Sequence, residues 1–226
     1  MATQNFDELN ILNRRSLPYD EYFGDMLLTN TQKKDRKKTA IILEDILSII
    51  FELIFVESTL GMIDVGFLRK EFINQIYEYI DGEDFFEDEE QFESYLFDLM
   101  DEMIDQTVKN LKEKPNDYDY TGEKPYWVSK DRAMFVAENE ANTLFSSKEY
   151  KEAKKQGYTH KIWMTYPDLR VRPTHVEARG LKVPIGVYFE VGDARMLYPK
   201  DVTSEFSTGA EHPEEVVNCR CTCKYV

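Results

Sequence analysis

Cysteine is scarce in this chain and confined to one stretch: Cys219, Cys221 and Cys223 are the only three in 226 residues. Cysteines that close together rarely bridge one another without strain, so no disulfide framework is implied. With no apolar signal region at the N-terminal end, this usage reads as a reducing, intracellular setting. The familiar fingerprints of catalysis are missing too. There is no glycine-rich phosphate loop, no HExxH pair and no nucleophile elbow. Long uninterrupted apolar runs are also lacking. The richest stretch, residues 40–58, contains Glu44, Asp45, Glu52 and Glu57, and a carboxylate at mid-bilayer costs about 2.5–3.5 kcal/mol. Glu44, Ser48 and Glu52 recur every four residues as one polar stripe, so the segment reads as an amphipathic helix and not a membrane span.

Basic charge is in deficit, and the deficit is uneven. The formal charge is −15, from 28 Lys and Arg against 43 Asp and Glu. Residues 1–118 carry 27 acidic and 12 basic side chains, and residues 119–226 carry 16 of each. Such a composition break suggests two units, 1–118 and 119–226, joined through the Asp-, Gly- and Pro-containing stretch 116–125. The acidic half would be repelled by a nucleic-acid backbone, so any DNA contact belongs to the other half. There Lys151 and Lys155 share a helix face and are the candidates for weak, sequence-independent contact; a solvated face is the competing reading.

Hydrophobic spacing then sets the elements. Residues 1–32, with Pro18 and Gly24 and no sustained period, read as a loosely structured arm, and the basic run at 33–38 as a solvated helix start. Helices follow at about 36–58, 64–80 and 84–113, separated near Gly61 and Gly82, and short joins favour an antiparallel bundle. The acid-rich stretch 81–93 lacks the ligand pattern of an EF-hand and reads as a solvated face. A further helix spans about 130–156 and ends at Gly157. Beyond it the period shifts to strand-like alternation at 159–165, 187–191 and 216–225, with Pro and Gly turns between. The class is therefore α+β: an N-terminal helical bundle, then a small domain with one long helix packed on a mostly antiparallel sheet.

The C-terminal half also carries a polar constellation that a generic core does not need. Asp168, Arg170, Arg172 and His175 lie within eight residues, and Asn218-Cys219-Arg220-Cys221 follows much later. With Trp163, Gly180, Val183-Pro184-Ile185 and Tyr198-Pro199-Lys200-Asp201, this string resembles the head-morphogenesis domain of tailed phages, found in the phage Mu protein F-like minor head proteins. The resemblance spans roughly residues 125–226. It implies a capsid-associated minor head protein acting in head assembly near the portal, with portal, capsid or scaffolding proteins as partners and packaging with the DNA as a further step. It also implies location in the virion, at the head interior or portal vertex, and in the bacterial host cytoplasm during assembly. The family's helical Arg-Thr-Glu triplet aligns with Glu138-Asn139-Glu140, which retains only the Glu.

Three chemistries compete for the constellation. In the structural reading Asp168 and one Arg lock a turn, His175 bonds within the domain, and no residue is catalytic. In the metal reading His175, Cys219 and Cys221 hold a structural zinc, with Asp168, His212 or Cys223 as fourth ligand. A lone C-x-C is weaker than paired knuckles, and some forty positions separate His175 from the cysteines, so buried apolar thiols and no cofactor are the favoured expectation. In the enzyme reading, a nuclease or group-transfer effector, His175 acts as general base while Arg172 and Arg220 hold a phosphate.

Overall fold

The computed structural model describes residues 18–114, 124–166 and 170–226. It opens with a helical turn α1, Tyr19–Tyr22, and a long helix α2, Asn30–Leu60. Thr29 starts α2 with a reciprocal cap, its hydroxyl accepting from Gln32 N and the Gln32 side chain accepting from Thr29 N. Gly61, at φ 69°, ends it in the left-handed region. Residues 18–32 therefore differ from a loose arm: Tyr22, Phe23 and Met26 are buried in the main core. Arg36, inside the basic run, is also fully buried, because its guanidinium finds Glu149 and Asn142 across the core.

Helix α3, Val65–Tyr79, returns against α2. The third helical stretch is broken although its apolar period runs on. It comprises α4 (Gly82–Phe85), α5 (Glu89–Met100, capped by Asp88), a π-helical turn at Asp101–Asp105, and α6 (Gln106–Glu113). A π-turn adds a residue to the helical period, so Leu96 and Met100 before it and Met103 and Ile104 after it all reach the core. After a short 3₁₀ turn at Tyr126–Val128 comes α7, Lys130–Lys155, begun by the Ser129 hydroxyl. Helix α7 lies along α2, and Val136, Ala137, Ala141 and Leu144 join Leu43, Leu47, Ile50 and Ile54 in one apolar core.

The sheet part is small. Strand β1, His160–Met164, is central, with β2 (Lys182–Pro184) and β5 (Thr222–Tyr225) antiparallel on either side. Trp163 pairs with Cys223, and Ile162 with Lys182 and Lys224. A separate hairpin joins β3 (Phe189–Val191) to β4 (Ala194–Met196). Two helical turns, α8 (Pro173–Ala178) and α9 (Pro213–Val216), complete this half. The structure is α+β, as the periodicity implies, but the last strand is shorter than the 216–225 expected. Val216 ends α9 and the chain turns at Val217 and Asn218 before it becomes extended. No helix among the described residues is long and apolar enough to cross a membrane.

Candidate functional site

The two parts of the motif, far apart in sequence, meet beneath α7. Pro173 occupies the first turn of α8, where its fixed φ fits and its missing N–H costs nothing. This short helix projects His175 into the small core, where it is 1% exposed and stands edge-on to Trp163 at 5.6 Å between centroids. Gly180, at φ 80°, turns the chain after α8 and donates its N–H to Trp163 O at 2.8 Å. Asn218 takes φ 53°, a conformation that Asn tolerates better than most residues. The turn at Asn218, rather than a strand, is what brings Cys219 and Cys221 to the same imidazole.

His175 Nδ1 is 3.3 Å from Cys221 Sγ and 3.5 Å from Cys219 Sγ. One potential ligand atom from each of these three residues lies within 4.8 Å of the others, and all three residues are buried. Cys221 N–H donates to Cys219 Sγ at 3.4 Å. On the far side of the ring, Nε2 lies 3.0 Å from Glu215 Oε2, which also accepts from the Thr174 hydroxyl at 2.8 Å. Gly192, at φ 58°, leaves room for that carboxylate, since a Cβ there would fall 2.2 Å from Glu215 Oε1.

Electrostatics distinguish the two thiols. Burial raises the Cys219 pKa, but the hydrogen bond from Cys221, the His175 imidazole and the Arg172 charge outweigh it and hold this thiol well below its ordinary value. Burial and the neighbouring Cys219 push Cys221 well above. Burial depresses His175, yet the charge and hydrogen bond of Cys219 leave it raised overall.

The remaining motif residues build the support. Arg172 donates to Val217 O, and Trp163 is fully buried against Phe189. Arg170 and Arg220 both reach Asp25 Oδ2, the latter at 3.1 Å. Asp168 lies outside the described residues, and an Asp from the N-terminal segment partners the arginines here. Cys223 and His212 stand apart from the cluster: Cys223 pairs with Trp163 on β5 and His212 contacts Glu214 at 3.0 Å. Lys151 donates to Phe86 O at 2.7 Å, tying α7 to the loop after α4, while Lys155 is exposed.

The sequence assigns no supporting role to Asn139, Asn142 or Lys200, although Asn139 and Lys200 fall within the motif strings. Asn139 Oδ1 accepts from Asn218 N at 2.8 Å and from the buried Lys200 ammonium. Asn142 Nδ2 donates to Cys219 O at 3.0 Å. The available signal was a row of small polar residues, Asn139, Asn142 and Ser146, at helical spacing on a face of α7 that is buried.

The class defined by this arrangement is an α+β module whose C-terminal motif forms a buried polar knot locked to a long helix. A family model described as phage Mu protein F like protein matches residues 101–224. The chain belongs to that family, which is one of phage head-morphogenesis proteins. The match begins before the 125–226 expected and takes in the π-turn and α6 as well as α7. No match was found among curated proteins or among solved structures.

Proposed function

We propose that this protein is a minor head protein that acts in phage head assembly near the portal, bound to portal, capsid or scaffolding protein. The family match over residues 101–224 carries the reading. The polar knot fits a rigid structural role: most of its groups are spent on one another and on backbone, through Asn139, Asn142, Arg172 and Lys200. The acidic bundle supplies the docking surface in this proposal. Glu87, Asp88, Glu89 and Glu90 are exposed together at the start of α5, and such a field steers association toward basic protein surfaces. Contact with DNA through Lys151 and Lys155 is left out, since Lys151 is already engaged with Phe86 O.

Pull-down of the tagged chain from phage-producing cells, with partners identified by mass, tests the reading. Portal, capsid or scaffolding protein should be recovered, and less of it from a variant with Glu87, Glu89 and Glu90 changed to Gln. The competing reading, a nuclease or group-transfer effector, would displace it if the purified protein cleaved RNA or DNA and folded His175→Ala did not.

A further inference from the structure

We propose that His175 Nδ1, Cys219 Sγ and Cys221 Sγ bind one zinc ion, with water as the fourth ligand on the side of the pocket lined by Tyr166 and Arg172. This inference does not depend on the head-assembly reading. The separation in sequence that weighed against metal is closed by α8 and by the turn at Asn218.

The distances fit the ion. Tetrahedral zinc, with Zn–S about 2.3 Å and Zn–N about 2.0 Å, holds nitrogen and sulfur ligands about 3.6 Å apart. Here Nδ1 stands 3.3 and 3.5 Å from the two sulfurs. The surroundings fit as well. A ligating imidazole must present a lone pair at one nitrogen, and its other N–H usually meets a carboxylate. Glu215 Oε2 stands 3.0 Å from Nε2, a carboxylate beside the non-ligating nitrogen though not aligned for a hydrogen bond, while Nδ1 faces the sulfurs. The Cys221 N–H supports a thiolate on Cys219.

Charge gives an independent argument. Two thiolates and a neutral imidazole around Zn²⁺ sum to zero, which suits a site whose three ligands are buried. Sulfur ligands exclude calcium and magnesium, which take oxygen. Among the described residues no fourth His, Cys, Asp or Glu joins the group, and all three ligands border the pocket with Tyr166, Arg172 and Asn218. Three protein ligands with one open position is an established zinc coordination pattern.

The test uses the full chain, purified under reducing conditions without chelator. Elemental analysis should find about one zinc per chain. It should be lost in Cys219→Ser and in His175→Ala, and retained in Cys223→Ser. Chelator-treated wild type should take up Co²⁺ with a thiolate charge-transfer band that Zn²⁺ abolishes. Glu215→Gln should weaken zinc binding by about ten- to a hundredfold in a competition titration, while leaving a folded protein. Folded, reduced wild type that holds less than about a tenth of an equivalent and gives no cobalt band would overturn the proposal. Zinc retained equally by Cys219→Ser and His175→Ala would overturn the ligand assignment. The wild-type cobalt titration decides the matter if either variant fails to fold.

Discussion

Asn142 has both ends of its amide engaged in a fully buried position. Its oxygen accepts from Arg36 Nε at 3.0 Å and its nitrogen donates to Cys219 O at 3.0 Å, linking α2 to the motif loop through α7. Truncation would leave a buried guanidinium nitrogen and a buried carbonyl without these partners. Unsatisfied groups of this kind cost about 1–3 kcal/mol each, with charged groups at the upper end. Asn142→Ala should therefore destabilise the protein by about 2–4 kcal/mol in urea unfolding. A midpoint equal to wild type would show that water replaces the amide, and that the spine is dispensable. Glu138, one turn earlier, presents a different case. Burial and the nearby Asp131 push its carboxyl up to about 9, against the pull of Arg220 and Lys200. Its folded pKa lies above its unfolded value, so the protonated carboxyl is fully compatible with folding below about pH 4.5. Between that pH and about 9 the folded state holds a proton that the unfolded state releases, so stability falls as pH rises, by at most about 1.4 kcal/mol per unit from this group. Glu138→Gln should flatten melting temperature against pH over this range and gain most near pH 8–9. Parallel profiles for variant and wild type would mean that Glu138 is ionised and paired in the fold.

At the scale of elements, the hydrophobic period located the helices better than it located their breaks. The stretch 84–113 keeps apolar residues at helical spacing throughout, yet it contains a π-turn, because one inserted residue shifts the apolar stripe without removing it. Residues 18–32 escaped the periodic reading for a related reason. Tyr19, Tyr22, Phe23 and Met26 form one compact anchor, too short for a period to show. The terminal strand was overextended since Val216, Cys219 and Cys221 are apolar in any conformation, and only the left-handed turn at Asn218 reveals that they are not on a strand. The motif residues themselves were legible, whereas the Glu215 contact and the Asp25 partner depend on tertiary placement alone. Two glycines in this half then predict unequal costs. Gly180 and Gly192 both have φ in the left-handed region, but a Cβ on Gly180 meets nothing within 4 Å, whereas one on Gly192 collides with Glu215. Gly180→Ala should cost about 1 kcal/mol from backbone strain. Gly192→Ala should cost more and should also loosen His175, which broadening or displacement of its imidazole NMR signals would report. Equal losses of melting temperature for the two variants would contradict the carboxylate clash.

Across the whole molecule, charge and core divide the chain differently. The excess of acid ends near residue 118, but charge is a property of the surface, and the buried residues ignore that line. Helix α7 belongs to the electrically balanced half, yet its apolar face completes the bundle begun by α2 and α3. Arg36, fully buried, adds an ion pair of 2.8 Å to Glu149 across the same contact. Breaking such a pair strands a charge away from water, at a cost of about 3–5 kcal/mol. Burial of each large aliphatic side chain along α2 contributes a further 1.5–3 kcal/mol or about that. We therefore expect two sequence segments and one cooperative folding unit. A protease site engineered at the Pro115–Asn116 bond, between α6 and the 3₁₀ turn in sequence, would sever the chain while leaving the α2 and α7 residues of this interface unchanged. The nicked protein should still elute from size exclusion as one particle under native conditions and melt in a single transition. The isolated C-terminal fragment should be unstable, because α7 would expose Val136, Ala137, Ala141 and Leu144 to water. Separation of the fragments without denaturant, with the C-terminal piece melting as it does in the intact chain, would instead establish two independent domains and confine the role of α2 to docking.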